Sequence, residues 1–113
     1  MSNLPEKTCS IDQLVRHPRL VAAAIAGQKT QQRRDGVYAH PGETFVLQGV
    51  KFVVMALDRQ RLGDMTESDA TAEGYPNLGA YKDIILKMHA GMTWDDNGLV
   101  WVHRFQRSDL LSN

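Results

Sequence analysis

The sequence predicts an α+β fold, a single domain whose mostly antiparallel sheet curls into a small barrel under a few short helices. Three observations carry that expectation. Strand-length apolar runs at residues 44–47, 50–57 and 99–106 are bounded by turn residues. Helical patterning is confined to short segments near 18–26, 66–73 and 78–89. The 113 residues suffice for one hydrophobic core and not for two.

The elements follow in chain order. Residues 1–10 are polar, contain Pro5 and read as a flexible lead-in. Ser10 is placed to cap a short helix over 11–16 that turns Leu14 and Val15 inward. His17 and Pro18 interrupt the chain, and Pro18 opens a helix over 18–26, because proline is tolerated in the first turn but not in the interior. Gly27 stops that helix. The run Val21-Ala22-Ala23-Ala24-Ile25 is small on nearly every side and suits close packing on a sheet. From Lys29 the pattern becomes extended, giving a strand over 29–34 turned by Asp35 and Gly36.

His40, Pro41 and Gly42 mark a further turn. Runs 44–47 and 50–57 form a hairpin through Gln48 and Gly49. The second run is apolar on both alternations except at Lys51, as in a central strand, with Arg59, Gln60 and Arg61 carrying it into solvent. Thr66, followed by Glu67, Ser68 and Asp69, starts a capped, acid-led helix that ends at Gly74. Asn77 caps the next helix, where Leu78, Tyr81, Ile84, Ile85 and Met88 share one stripe. Gly91 ends it, 94–98 is a turn, and 99–106 is the last strand. The domain spans 11–107, and 108–113 form a C-terminal tail.

Composition limits the partners. Thirteen basic and thirteen acidic residues cancel, so contact with nucleic acid requires a local patch and favours a few nucleotides over a long duplex. Cys9 is the only cysteine, which excludes an intrachain disulfide and a cysteine zinc cluster. No signal-peptide pattern opens the sequence, and no apolar run reaches the ~18 residues of a membrane span, so a cytoplasmic protein without membrane partners is expected. The histidines His17, His40, His89 and His103 lack metal-ligand spacing. No metal or cofactor is expected, and a monomer is favoured.

The segment 27–36, GQKTQQRRDG, concentrates the candidate chemistry. Lysine and arginine suit anionic oxygens, and glutamine suits the edge of a base. Lys29, Gln32, Arg33, Arg34, Arg59 and Tyr81 are the candidate ligand-binding residues. Arg33 and Arg34 point to opposite faces of a regular strand, which leaves open which one meets a ligand. Glu73 sits at a helix C-terminus, a poor place for an anion unless a cation such as Lys29 is near. In a dry pocket the Lys29 amine would lose basicity and become suited to proton transfer. His103 alternates with Leu99, Trp101 and Phe105 and reads as a core histidine, while Trp94 lies in a loop where it can stack on a base.

The segments IAGQKTQQRR, PGETFVLQG, LGDMTESDATAEGY and VWVHRF, taken in this order, resemble the ASCH domain family across about residues 21–105. That resemblance implies a PUA-like small β-barrel with helices packed over its openings. Together with the hairpin-bounded runs, it implies five or six mostly antiparallel strands. It also implies a link to RNA and modified nucleosides, and family position favours Arg34 as the site arginine. Some small bacterial members that the chain resembles are acetylcytidine amidohydrolases. By that resemblance Lys29 and Glu73 occupy catalytic positions, and the third position, a threonine, falls on Gln32. Glutamine has no hydroxyl to act as nucleophile. The expected function is therefore recognition of a short single-stranded RNA or nucleoside-like ligand in a basic cleft, with amidohydrolysis of acetylated cytidine as the alternative.

Overall fold

A computed structural model describes residues 4–89 and 91–111. The α+β expectation holds. Helix α1 (Pro18–Ile25) precedes strand β1 (Gln31–Arg34), the hairpin β2 (Thr44–Leu47) and β3 (Val50–Arg61), helices α2 (Glu67–Glu73) and α3 (Leu78–Met88), and strand β4 (Leu99–Arg107). The strands form one antiparallel sheet in the order β1-β4-β3-β2. It curls into a half-barrel. Among the described residues it has four strands, against the five or six expected. The four are the runs read from the residues, the further one or two having come with the resemblance, and β3 is longer than read, running through Arg59, Gln60 and Arg61 to pair with Leu99–Trp101. Those three residues had been expected to lead into solvent. The register shifts between Val54 and Ala56, a bulge of the kind that increases local strand twist.

Local chemistry accounts for most boundaries. Pro18 sits in the first turn of α1, and Gly27 leaves it at φ +81°, a conformation that costs a residue with a Cβ. The β2–β3 turn uses Gln48 at φ 51° and Gly49 at φ 82°, a left-handed pair whose twist matches the strands. Thr66 and Asp69 close a reciprocal capping box on α2, and the Asn77 side chain caps α3. The helix expected at 11–16 is only a 3-10 turn, Ile11–Gln13, but Leu14 and Val15 are buried as expected.

The main core lies between α1 and the sheet. Leu14, Val15, Val21 and Ala24 meet Phe45, Phe52, Val54 and Phe105. Phe45 and Phe52 stack at 5.2 Å, and Phe105 sets its edge against both at 5.4 and 5.9 Å. A second cluster joins Met65 and Ala70 to Tyr81, with Tyr75, Ile85 and Trp94 around it. The α3 stripe does not enter the main core. Tyr81 is buried, Ile84 and Ile85 are half-buried, and Met88 is 61% exposed. That face borders an open cleft, which explains apolar residues left in contact with water. The lead-in lies along residues 37–43: Thr8 and Cys9 donate backbone N–H groups to the Val37 carbonyl, and Lys7 pairs with Glu43 at 2.7 Å. No helix among the described residues is long and apolar enough to cross a membrane.

Candidate functional site

The segment Lys29–Arg34 leaves α1, becomes the edge strand β1 and runs under α2. Thr30 donates its backbone N–H to the Ala72 carbonyl of α2 at 2.8 Å. This brings the end of α2 against the polar side chains of β1. Lys29 is 1% exposed, so this candidate ligand-binding residue is enclosed by protein. Its ammonium donates to the Gln31 carbonyl at 2.6 Å, the Glu73 carbonyl at 2.7 Å and Glu73 Oε1 at 3.4 Å. The burial has a clear cause. The ammonium caps the carbonyl end of α2, where the helix dipole is negative, and neutralises the carboxylate that ends the same helix. Burial pushes the Lys29 amine below its usual basicity, and the Glu73 carboxylate opposes that shift.

Arg33 completes the buried layer. Its Nη1 donates to Glu73 Oε2 at 2.9 Å and to Gln31 Oε1 at 2.7 Å. Its Nε and Nη2 clasp Gln60 Oε1 at 3.0 and 2.7 Å, and Nη2 lies 3.4 Å from Asp69 Oδ1. Two cations thus meet two carboxylates, with glutamines filling the remaining hydrogen-bond positions, as a buried ionic layer requires. Burial pushes the Asp69 carboxyl up, but the Thr66 N–H and the Arg33 charge outweigh it and hold the group below the usual range. Gln31, Gln60 and Asp69 were not among the candidates. Gln60 was hidden by ending β3 too early, and Asp69 by its capping role, which it performs alongside this one.

Above this layer opens a cleft of about 920 Å³. Tyr38, Tyr75, Tyr81 and Trp94 supply aromatic surface, and Leu20, Leu62, Ile85 and Met88 apolar surface. Tyr81 sets an edge contact to Tyr75 at 5.3 Å and to Trp94 at 6.3 Å. Burial raises the Tyr81 phenol, so it stays protonated as a hydrogen-bond donor. Gln32, Arg33, Arg34 and Glu73 supply the polar surface.

Gln32 is 8% exposed. Its amide donates to the Arg33 carbonyl at 3.3 Å, which fixes the amide orientation, and Oε1 has no hydrogen-bond partner. Arg34 Nη2 donates to the Leu14 carbonyl at 2.7 Å and the guanidinium lies 5.2 Å from the Tyr38 ring centre, while its buried Nε has no partner. Two cleft-lining side chains thus each carry a buried polar atom without a partner, an acceptor on Gln32 and a donor on Arg34, and each is a cost to the fold.

His103 holds this edge in register. Tyr38 N–H donates to its Nε2 at 3.0 Å, so the ring proton is on Nδ1 and faces the Gln32 carbonyl at 3.1 Å. Burial lowers its basicity. It is a satisfied core histidine, as its alternation in β4 indicates.

The candidate residues thus divide. Gln32, Arg33, Arg34, Tyr81 and Glu73 line the cleft; Lys29 and Arg59 do not. Lys29 lies in the buried layer under it. Arg59 is exposed and covers the Trp101 ring at 4.6 Å, because β3 continues past it as a paired strand. Family position favoured Arg34, yet Arg33 is the arginine bonded to Glu73. Both arginines reach the cleft because β1 is an edge strand, so that its two faces meet at an open side. Among the described residues no group of three or more histidines, cysteines or carboxylates is placed to hold a metal ion.

No protein-family model matches the chain, and no curated protein matches it. Solved structures do. The ASCH domain of Lactobacillus crispatus JV V101 superposes with a TM-score of 0.65 at 11% identity, over 78% of this chain and 69% of that one. Protein EF3133 of Enterococcus faecalis V583, of the DUF984 family model, superposes with a TM-score of 0.56 at 16% identity, over 79% of this chain and 66% of that one. The chain therefore spans about two thirds of the length of each. At such identities the likeness concerns the fold, and it agrees with the curled sheet and overlying helices: this chain has the fold of that ASCH domain, an α+β half-barrel of antiparallel strands.

Proposed function

We propose that the protein binds a nucleoside-like ligand, free or as part of a short single-stranded RNA, in the aromatic cleft beside β1. One observation carries the reading. A cleft of about 920 Å³ with aromatic surface is lined by Gln32 and Arg34, whose buried Oε1 and Nε have no hydrogen-bond partners. A base offers both complements, a flat π-face for the aromatic rings and an edge that carries donors and acceptors side by side. The volume lies within the range of small-molecule sites.

The amidohydrolase alternative draws less support from the geometry. Lys29 directs its ammonium N–H groups at three acceptors under the cleft, which leaves no free lone pair to act as a base. Gln32 supplies no nucleophile. Calorimetric titration with cytidine, N4-acetylcytidine and the other ribonucleosides tests the proposal. Saturable binding that weakens about tenfold in Gln32→Leu is expected, the worth of one good hydrogen bond to a buried acceptor. Absence of binding by any nucleoside or short RNA, at low salt, would sink the proposal. Steady release of cytidine from N4-acetylcytidine would make the alternative correct.

A further inference from the structure

The start of α1 forms one rim of the same cleft, and no acidic side chain occupies its first turn. Pro18 has no N–H and the Arg19 N–H is taken by the His17 side chain, so the Leu20 N–H and the dipole of an eight-residue helix make this end electropositive. His17, the N-cap, uses its Nδ1 to accept from the Arg19 N–H at 3.2 Å, which leaves Nε2 directed elsewhere. Arg16 lines the cleft, is exposed, and makes no ion pair or side-chain hydrogen bond to another described residue. Arg34, on the facing strand, has its charge paired to no carboxylate, since its Nη2 bonds only backbone carbonyls.

Three arginines and two carboxylates line the cleft, and one of those carboxylates, Glu73, is already neutralised by Arg33 and Lys29. Arg16 and Arg34 are therefore opposed only by Asp35. The unpartnered Gln32 Oε1, on a cleft-lining side chain more than nine-tenths buried, is an independent sign that the cleft suits a ligand with a donor group.

We infer that the cleft binds a nucleotide rather than a nucleoside, with the base toward Gln32 and the phosphate at the α1 rim between Arg16 and Arg34. This inference rests on the proposed function and gives it a substrate class, a nucleoside phosphate. The two guanidinium groups match phosphate oxygens, the helix dipole adds a smaller attraction, and both act more weakly on the hydroxyls of an uncharged sugar. The overall neutrality of the chain is no obstacle, because the recognition is local and involves one or two phosphates.

Titration of the unaltered protein with each ribonucleoside and its 5′- and 3′-monophosphate, at low and moderate salt, tests it. A monophosphate should bind roughly tenfold more tightly than its nucleoside at low salt, the advantage shrinking as salt rises. Arg16→Ala, at an exposed site outside the core, should abolish most of that advantage. Lys51→Ala, which removes an exposed cation not lining the cleft, should preserve it. A trinucleotide arm separates the sources: a free mononucleotide is the ligand if the trinucleotide binds no better, and RNA is the ligand if it binds better still. Equal affinity for nucleoside and monophosphate would overturn the inference while leaving nucleoside binding standing. An advantage that survives Arg16→Ala unchanged would overturn the placement of the phosphate. Failure of every nucleoside and nucleotide to bind would overturn both readings.

Discussion

Lys29 shows how far a single residue can depart from what its type suggests. Lysine is among the residues least often fully buried, yet here it caps a helix and neutralises Glu73 while 1% exposed. Removing it leaves two buried carbonyls without this donor and the buried Glu73 carboxylate with Arg33 as its one remaining cation. Lys29→Ala is therefore expected to lower the unfolding free energy by about 3–5 kcal/mol, read from urea denaturation. An unchanged denaturation midpoint would contradict this burial. His103 is the converse case, a group kept neutral by its surroundings. Its folded-state basicity is depressed by burial, so between that value and about 6.5 the unfolded chain binds the extra proton. Its share of stability is whole above about pH 6.5 and is lost as the pH falls through that window. Denaturation midpoints should decline on acidification from neutrality toward pH 5, and this part of the decline should be missing in His103→Gln. The depressed carboxyls of Asp69 and Glu43 act only at lower pH, below their usual values.

At the scale of elements, the α2 cap performs two tasks. Thr66 and Asp69 close the capping box, and the same Asp69 carboxylate receives Gln31 and faces Arg33. Thr66→Ala should cost about 1 kcal/mol in thermal or urea unfolding, and it should also weaken ligand binding modestly because Asp69 loses its tether. A Thr66→Ser variant, which retains the hydroxyl, should restore both. Helix starts, glycine stops and the β2–β3 turn were legible in the sequence because a few adjacent residues determine them. The reach of β3 was not legible. Arg59, Gln60 and Arg61 carry no strand signal of their own and are extended because Leu99, Val100 and Trp101 pair with them. The same limit applies to the site. Lys29 and Glu73 could be linked from a resemblance and a dipole argument, but their burial under the cleft depends on β1 being an edge strand beneath α2. Arg33 and Arg34 were inseparable for a related reason, since strand alternation says nothing about two faces that meet at an open edge.

Taken as a whole, the molecule has an apolar core on one side of the sheet and an ionic layer with a cleft above it on the other. The polar layer is electrically balanced within itself, which frees Arg16 and Arg34 to act outward although the chain carries no net charge. The Lys29–Glu73 bridge joins residues 44 apart in the chain and ties α2 to β1. Its consequence concerns the order of events during folding. An ammonium gives up its water only when the carboxylate and carbonyls are already in place, whereas the β2–β3 hairpin assembles from neighbours. The bridge should therefore close after the transition state has been crossed. In stopped-flow experiments Lys29→Ala should leave the refolding rate nearly unchanged and accelerate unfolding by about a hundredfold or more, as its loss of stability requires. A slowed refolding limb would place the junction in the nucleus instead. On the expected result the lysine acts as a latch, setting how long the folded molecule lasts and having little influence on how quickly it forms.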